Sequence, residues 1–290
     1  MKLDLSTLVI QFLHGLTYGM LLFLVSSGLT LVFGMMNVLN IPHASFYMLG
    51  AYFSYQILQM IGNFWVSLIV CPVAVGILGI IWETSLLRRA HAGGHVQEFV
   101  IGFGIFFVIN EAVKWIWGTQ DLPVSLPEGL SSSIMILGRV YPVYRIFILL
   151  FSFAVLALLA YILKKTRLGI TVRAAVSDRD MVSALGTNTQ LVFMLVMGIG
   201  SWLAGLAGVI AGPFVNTYPG MAFDILVDCF IVTVSGGLGS LLGAVVSSFM
   251  IGQLYSFGII FIPRFAIVFG FLFMAVVLII KPSGLFGEKA

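Results

Sequence analysis

The side chains in this sequence whose types and spacing carry recognisable chemistry are few, and they favour binding over catalysis. His91 and His95, in RRAHAGGHVQE, stand four residues apart, a separation at which two imidazoles on one helical face can share a metal. Beside Arg88, Arg89 and paired glycines they read instead as solvated loop histidines, and no metal site is assigned. Cys71 and Cys229 lie inside apolar runs without CxxC spacing and read as small core residues. No GxxxxGK[ST] phosphate loop occurs, so this chain does not hydrolyse ATP by itself. No catalytic residue is assigned, and an enzyme is not expected. Asp224 and Asp228 fall one helical turn apart at the start of an apolar run. They can meet a substrate's amino group in a vestibule, or they are acids stabilised by a helix dipole by about 0.3 to 1 kcal/mol. The dipole is the preferred reading.

Two polar interruptions carry the binding argument. In MMNVLNIPHAS, Met35 to Ser45, the residues Asn37, Asn40, Pro42, His43 and Ser45 break a long apolar run, with Tyr47 just beyond. No charge marks this as an aqueous loop. Non-helical backbone at membrane depth persists only when it is buried in protein or lines a water-filled cavity. The interruption is therefore a broken-helix candidate, the alternative being a short loop at the interface. The second is SGGLGS, in which Gly236, Gly237 and Gly239 between Ser235 and Ser240 disfavour a regular helix. Together Asn37, Asn40, His43, Ser45, Tyr47, Ser235, Gly236, Gly237 and Gly239 form the candidate substrate pathway.

A third stretch is of a different kind. Lys164 to Gln190 is a connection of 27 residues with five basic and two acidic side chains, far longer than an ordinary loop. Ala174, Ala175, Met181, Val182, Ala184 and Leu185 recur at helical spacing, and Gly186 stands where a C-terminal cap would. This predicts an amphipathic helix over Val172 to Leu185 on a membrane protein's cytoplasmic face. The competing reading is a solvated basic linker that only orients the protein.

The elements that must position these stretches follow from composition. Of 290 residues 60% are apolar and 9% charged, and mean hydropathy is +1.13. Such a chain cannot make a water-soluble surface, and its apolar runs are long enough for helices across a bilayer, while ten-residue alternating barrel strands are absent. The expectation is an all-α integral membrane protein. It is a single domain over 1–290, a polytopic bundle of about eight or nine transmembrane helices with two broken or re-entrant helix pairs. MKLDLST before the first run lacks a short cleavable signal, so the first span is expected to be retained. A net charge of +3 is too small and dispersed for nucleic acid.

The spans read as Leu8 to Gly34, Phe46 to Ile61, Trp65 to Leu87 with Pro72 as a kink, Glu98 to Gly118, Pro142 to Leu163, Leu191 to Gly212, Ala222 to Val234, Leu241 to Phe257 and Arg264 to Ile280. Arg88, Arg89, Lys164, Lys165, Arg167, Arg173, Arg179, Lys281 and Lys289 gather on one side, which the positive-inside rule makes cytoplasmic. The amino terminus is then outside and the carboxy terminus inside. Glu83 with Arg88 and Glu111 with Lys114 read as interfacial ion pairs, and Gln56, Asn110 and Gln253 as interhelical hydrogen-bonding residues.

Taken together, HGLTYGMLLFLVSSGLTLVFGMMNVLNIPHASFYMLGAY, RAAVSDRDMVSALG, GSWLAGLAGVIAG, SGGLGSLLGAVVSS and KPSGLFG resemble the branched-chain amino acid permease family of ABC importers, over nearly the whole chain and in order. The likeness is greater to the smaller permease of the pair. The resemblance implies a bacterial inner-membrane importer subunit that works with a second, non-identical permease, two cytoplasmic ATPases that bind the ATP, and a periplasmic substrate-binding protein. It implies that Ala174, Ala175 and Gly186 belong to a coupling helix seated in an ATPase cleft, within a set spanning Arg173, Ala174, Ala175, Ser177, Asp178, Met181, Val182, Leu185 and Gly186. No cofactor is expected on this chain. Where relatives often read Asn-x-Ala-His-Gly at the first break, this chain has Asn40-Ile41-Pro42-His43-Ala44, which stiffens the backbone there. Urea, short amides and aromatic acids, carried by other relatives, therefore stand beside leucine, isoleucine and valine as substrates. A secondary carrier or channel working alone is the rival class and needs a coupling acid near the midplane; mid-span ionisable residues read as nearly absent. A structural scaffold leaves the long loop and both breaks unexplained.

Overall fold

In a hydrocarbon solvent every backbone N–H and C=O must be paired inside its own segment, so the long apolar runs become helices. A computed structural model describes residues 4–266 and 268–287. In chain order the elements are α1 (Leu5–Met36), α2 (Pro42–Ile61), α3 (Phe64–Ala90), α4 (His95–Trp117), a hairpin of β1 (Ser133–Ile136) and β2 (Arg139–Pro142), α5 (Val143–Lys165), α6 (Arg167–Ser177), α7 (Arg179–Ala184), α8 (Thr189–Val215), α9 (Met221–Gly236), α10 (Leu241–Phe261) and α11 (Val268–Ile280). Six of them, α1, α3, α4, α5, α8 and α10, are long and apolar enough to cross a membrane. The protein is a predominantly helical polytopic membrane protein with one short β-hairpin. Against the eight or nine spans expected from the sequence, α2 is less apolar and α9 and α11 are shorter, at 16 and 13 residues.

Small residues set the core. α1 and α8 are the most enclosed of these six helices and α4 and α5 the least. A Cβ on Gly19 of α1 would lie 2.7 Å from the carbonyl of Ser248 in α10, and one on Gly28 would lie 2.5 Å from that of Gly200 in α8. In lipid, where apolar side chains gain nothing by leaving tails for one another, such backbone-to-backbone approach supplies the packing energy. Leu21, Leu22, Phe23, Leu24 and Val25 of α1 are consequently fully enclosed.

The ends of the helices sort onto two faces. The hairpin closes over the start of α1, with Arg139 Nε donating to Ser6 Oγ at 3.1 Å and the Tyr141 hydroxyl 2.9 Å from that of Thr17. The segment after α4 joins that face through Leu122 and Thr217, which exchange backbone hydrogen bonds of 2.8 and 3.0 Å. The opposite, basic face carries the end of α1, the end of α5, α6, the turn between α9 and α10 and the chain after α11.

Details of the sequence reading are both met and corrected. Glu83 is buried and ion-paired with Arg88 at 2.9 Å, because a π-helical turn over Glu83–Leu87 brings positions i and i+5 together. Glu111 and Lys114 pair at 2.6 Å, and Gln56, Asn110 and Gln253 bond between helices. His91 and His95 are not merely solvated: their Nδ1 atoms lie 2.7 and 3.2 Å from the two oxygens of Glu98. The last helix begins at Val268 rather than Arg264, since Pro263–Phe265 forms a 3-10 turn. The helix expected over Val172 to Leu185 is two helices, divided at Asp178.

Candidate functional site

The first break is shorter than its polar composition suggests. α1 continues to Met36, Asn37 caps it in the left-handed conformation (φ 53°), and Pro42 occupies the first turn of α2, so His43, Ser45 and Tyr47 are helical. The chain turns back within 37–41 and returns to the level of Val25. There His43 Nε2 lies 2.9 Å from the Val25 carbonyl, eleven residues or about 16 Å before the end of α1. Asn40 donates to the sulfur of Met197 at 3.3 Å, and Ser45 Oγ accepts from Asn110 at 3.1 Å. Asn40, His43, Ser45 and Tyr47 are all buried, whereas Asn37 is exposed. Asn40 Oδ1 and His43 Nδ1 are buried atoms with no hydrogen-bond partner among the described residues.

The second break holds its shape through glycine. Gly237 (φ 102°) and Gly239 (φ 81°) adopt backbone conformations that side chains disfavour, and they turn the chain from α9 into α10, which Ser240 caps by accepting from Gly243 N at 3.1 Å. The orphan carbonyls at the end of α9 are met from far away in sequence. Leu285 N donates to Ser235 O and Phe286 N to Gly236 O, each at 2.9 Å. A Cβ on Gly237 would stand 2.7 Å from Gly287 Cα, so the carboxy-terminal segment fits against the break only because no side chain is there.

The basic segment is ordered as α6 and α7. Asp178 ends α6 in an extended conformation, and its carboxylate accepts the Met181 N–H at 2.9 Å, capping α7. Gly186, with φ 84°, closes α7 as expected, its N–H bonding Ser183 O at 3.0 Å while Thr187 N reaches Val182 O at 3.3 Å. The buried side of this segment, Val172, Ala175 and Val182, packs into the protein's own core. Ala174, Arg173, Met181 and Leu185 point away, as do Ile170 and Val176. Ser177 lies in α6, but its side chain is outside the described residues. The amphipathic pattern thus marks attachment to this chain, not the side left free for a partner.

The second break and the basic segment meet. A half-open cavity of about 1440 Å³ is lined by Arg173 and Val176 of α6, Lys164 of α5, Thr30 and Gly34 of α1, Gly239 and Ser240 of the break, and Lys281 with the carboxy-terminal segment. Three cations and no carboxylate line it among the described residues. The first break meets α1 at Val25 and α8 at Met197, and of its residues Met35 lines this cavity. Such a constellation can admit polar or anionic groups at one end of the bundle.

Residues 11–280 match the family described as the permease component of branched-chain amino acid transport systems. The chain belongs to that family. Among similar proteins are the high-affinity branched-chain amino acid transport system permease protein BraD of Pseudomonas aeruginosa, 27% identical over 294 residues, 96% of this chain and 95% of that protein, and LivH of Escherichia coli strain K12, 28% identical over 303 residues with the same coverage. A probable branched-chain amino acid transport permease protein LivH of Methanocaldococcus jannaschii is 24% identical over 244 residues, 81% of this chain and 76% of that protein. No solved structure matches.

The permease also has a polar cluster around Asp224 and Asp228, the two acids for which the sequence left a helix-dipole and a vestibule reading open. Asp224 does lie in the first turn of α9, where the dipole acts, and its carboxylate accepts from the Tyr218 hydroxyl at 2.6 Å. Burial, and then Asp224 itself, push Tyr218 above the usual tyrosine range, so it remains a donor. Asp228 is beyond that turn. Its two oxygens accept from Tyr18 of α1 at 2.6 Å and Tyr255 of α10 at 2.8 Å. Asp228 is thus an ionisable group set between α1, α9 and α10. Its signal was in the sequence: Tyr18, Asp228 and Tyr255 are each a polar interruption of an apolar run, but pairing three distant residues requires the packing of α1, α9 and α10.

Proposed function

We propose that this chain is the membrane-spanning permease subunit of an ATP-binding-cassette importer, forming half of a pathway for branched-chain or other hydrophobic amino acids. The observation that carries the reading is the meeting of α6 with the glycine break and the end of α1 around one basic cavity, because a coupling element must touch the part of the pathway that it moves. In this reading 1–290 is one domain and 164–190 its coupling segment. The six long helices are joined as crossings by α2, α9 and α11, with non-helical backbone at depth in 37–41 and a glycine turn at the basic face in 237–240. Asn37, Asn40, His43, Ser45, Tyr47, Ser235, Gly236, Gly237 and Gly239 line the pathway.

The basic face is cytoplasmic in a bacterial inner membrane, which puts the amino terminus in the periplasm. ATP is held by two cytoplasmic ATPase subunits that dock on α6 and α7, a second, non-identical permease completes the pathway, and a periplasmic protein delivers substrate. The relatives' names support the amino-acid class, while Pro42 and Ala44 at the first break keep urea, short amides and aromatic acids as the alternative cargo. One observation favours a rival: Asp228 is the kind of acid that a stand-alone proton-coupled carrier needs. Purification from the native membrane followed by uptake in proteoliposomes separates the readings. Two ATPases and a second permease should accompany the chain and leucine uptake should require ATP; uptake by the isolated chain driven by a proton gradient would replace the importer with the carrier.

A further inference from the structure

The carboxylate of Asp228 has a surrounding that neither docking nor helix capping explains. It lies seven residues into α9, about 10 Å along the helix from its start at Met221. Hydroxyl-to-carboxylate distances of 2.6 and 2.8 Å from Tyr18 and Tyr255 are those of charge-assisted bonds, one to each oxygen. Each oxygen keeps a further lone pair. Among the described residues no lysine, arginine or histidine stands within ion-pairing distance of it. Asp228 is half-buried rather than enclosed, and so are Tyr18 and Tyr255. A carboxylate is not stable against lipid tails, so whatever part of Asp228 is left exposed faces water or protein. Asp224, one turn nearer the helix start, and Tyr47 of α2 lie within electrostatic reach of it.

We propose that Asp228, held in place by Tyr18 and Tyr255, receives the ammonium group of the amino acid as it enters the pathway and so selects for substrates that carry one. This rests on the permease reading above. A fixed carboxylate offers the ammonium a charge-assisted acceptor, and the faces of neighbouring tyrosines add attraction for a cation. The same charge repels the substrate's own carboxylate, so the amino acid enters ammonium first. Tyr18 and Tyr255 are positioning residues.

The test uses the full chain assembled with its ATPases, second permease and binding protein in proteoliposomes, and counts L-leucine molecules imported per ATP hydrolysed. Asp228→Asn keeps the shape and removes the charge; it should lower that ratio by about thirtyfold or more, as loss of one member of a desolvated charge pair does. Asp228→Glu, which restores the charge, should recover most of the loss. A ratio unchanged from wild type in Asp228→Asn overturns the proposal, whether activity is normal or import and hydrolysis fall together as for a merely structural residue. Loss of the second permease from the Asp228→Asn complex also overturns it, by assigning the carboxylate to a subunit contact. Failure of the wild-type complex to import any amino acid is a different result: it removes the permease reading itself and this assignment with it.

Discussion

Gly34, near the end of α1, and Gly239, in the turn between α9 and α10, touch backbone to backbone: a Cβ on either would lie 2.9 Å from the Cα of the other. Gly239 also has φ 81°. The central helix and the glycine break are thus one mechanical unit at the cavity wall. Gly239→Ala should lower stability by about 1 to 3 kcal/mol, the cost of a strained backbone, before the contact is counted. Gly104→Ala in α4, where an added Cβ meets nothing, should be neutral or slightly stabilising. Thermal unfolding in detergent, followed side by side for the two variants, checks the contrast; equal midpoints would deny the contact any weight.

The carboxy-terminal segment is the second dependency of the break. Gly237→Leu places a side chain where Gly287 and Phe286 now pass, and it must also hold φ 102°. The expected result is release of 282–287 from the ends of α9, seen as faster proteolysis there, with import lost while the assembled complex still purifies. Replacing residues 282–287 by a flexible Gly/Ser sequence should reproduce the transport loss. Normal import by Gly237→Leu would place the pathway elsewhere.

Much of the fold could be read from run lengths, because an apolar stretch of span length has few alternatives to a helix. Leu8 to Gly34 became the enclosed α1, and the glycine run after Ser235 became a turn. Boundaries that depend on one side chain were less legible: Asp178 splits α6 from α7 because its carboxylate caps a new helix, and the same residue type is compatible with an exposed helical position. What the buried side of α6 packs against was not legible for a related reason. Periodicity says that Val172, Ala175 and Val182 share a buried face, and only packing says against what. Asp228 illustrates the limit most clearly, since its partners Tyr18 and Tyr255 stand 210 and 27 residues away.

Topology can be checked with single cysteines. Cys71 and Cys229 are buried, so background labelling should be low. In intact cells an impermeant thiol reagent should modify Ser132→Cys, which is exposed on the hairpin face, and spare Arg89→Cys and Ile170→Cys, exposed on the basic face. Permeabilised cells should label all three. Modification of Ile170→Cys in intact cells would invert the orientation.

The coupling reading meets its sharpest test on the two sides of the basic segment. Ala175 is 4% exposed and packs within this chain, while Met181 and Leu185 are 56% and 77% exposed on the basic face. An unpaired charge forced into a packed interior costs several kcal/mol, so Ala175→Glu should harm the permease itself, lowering its amount in the membrane and its melting temperature even when no ATPase is present. Met181→Glu and Leu185→Glu change surfaces that only a partner can cover. They should leave the isolated chain as abundant and as stable as wild type. In the presence of the ATPases the same two changes should reduce co-purification and substrate-stimulated hydrolysis by about tenfold or more, as charges introduced at the centre of an interface do. Measuring chain stability without the ATPases and hydrolysis with them separates the two effects. If Met181→Glu and Leu185→Glu bind and stimulate the ATPases normally, α6 and α7 are a basic connection whose charges set orientation, and the subunit that drives transport docks on some other surface.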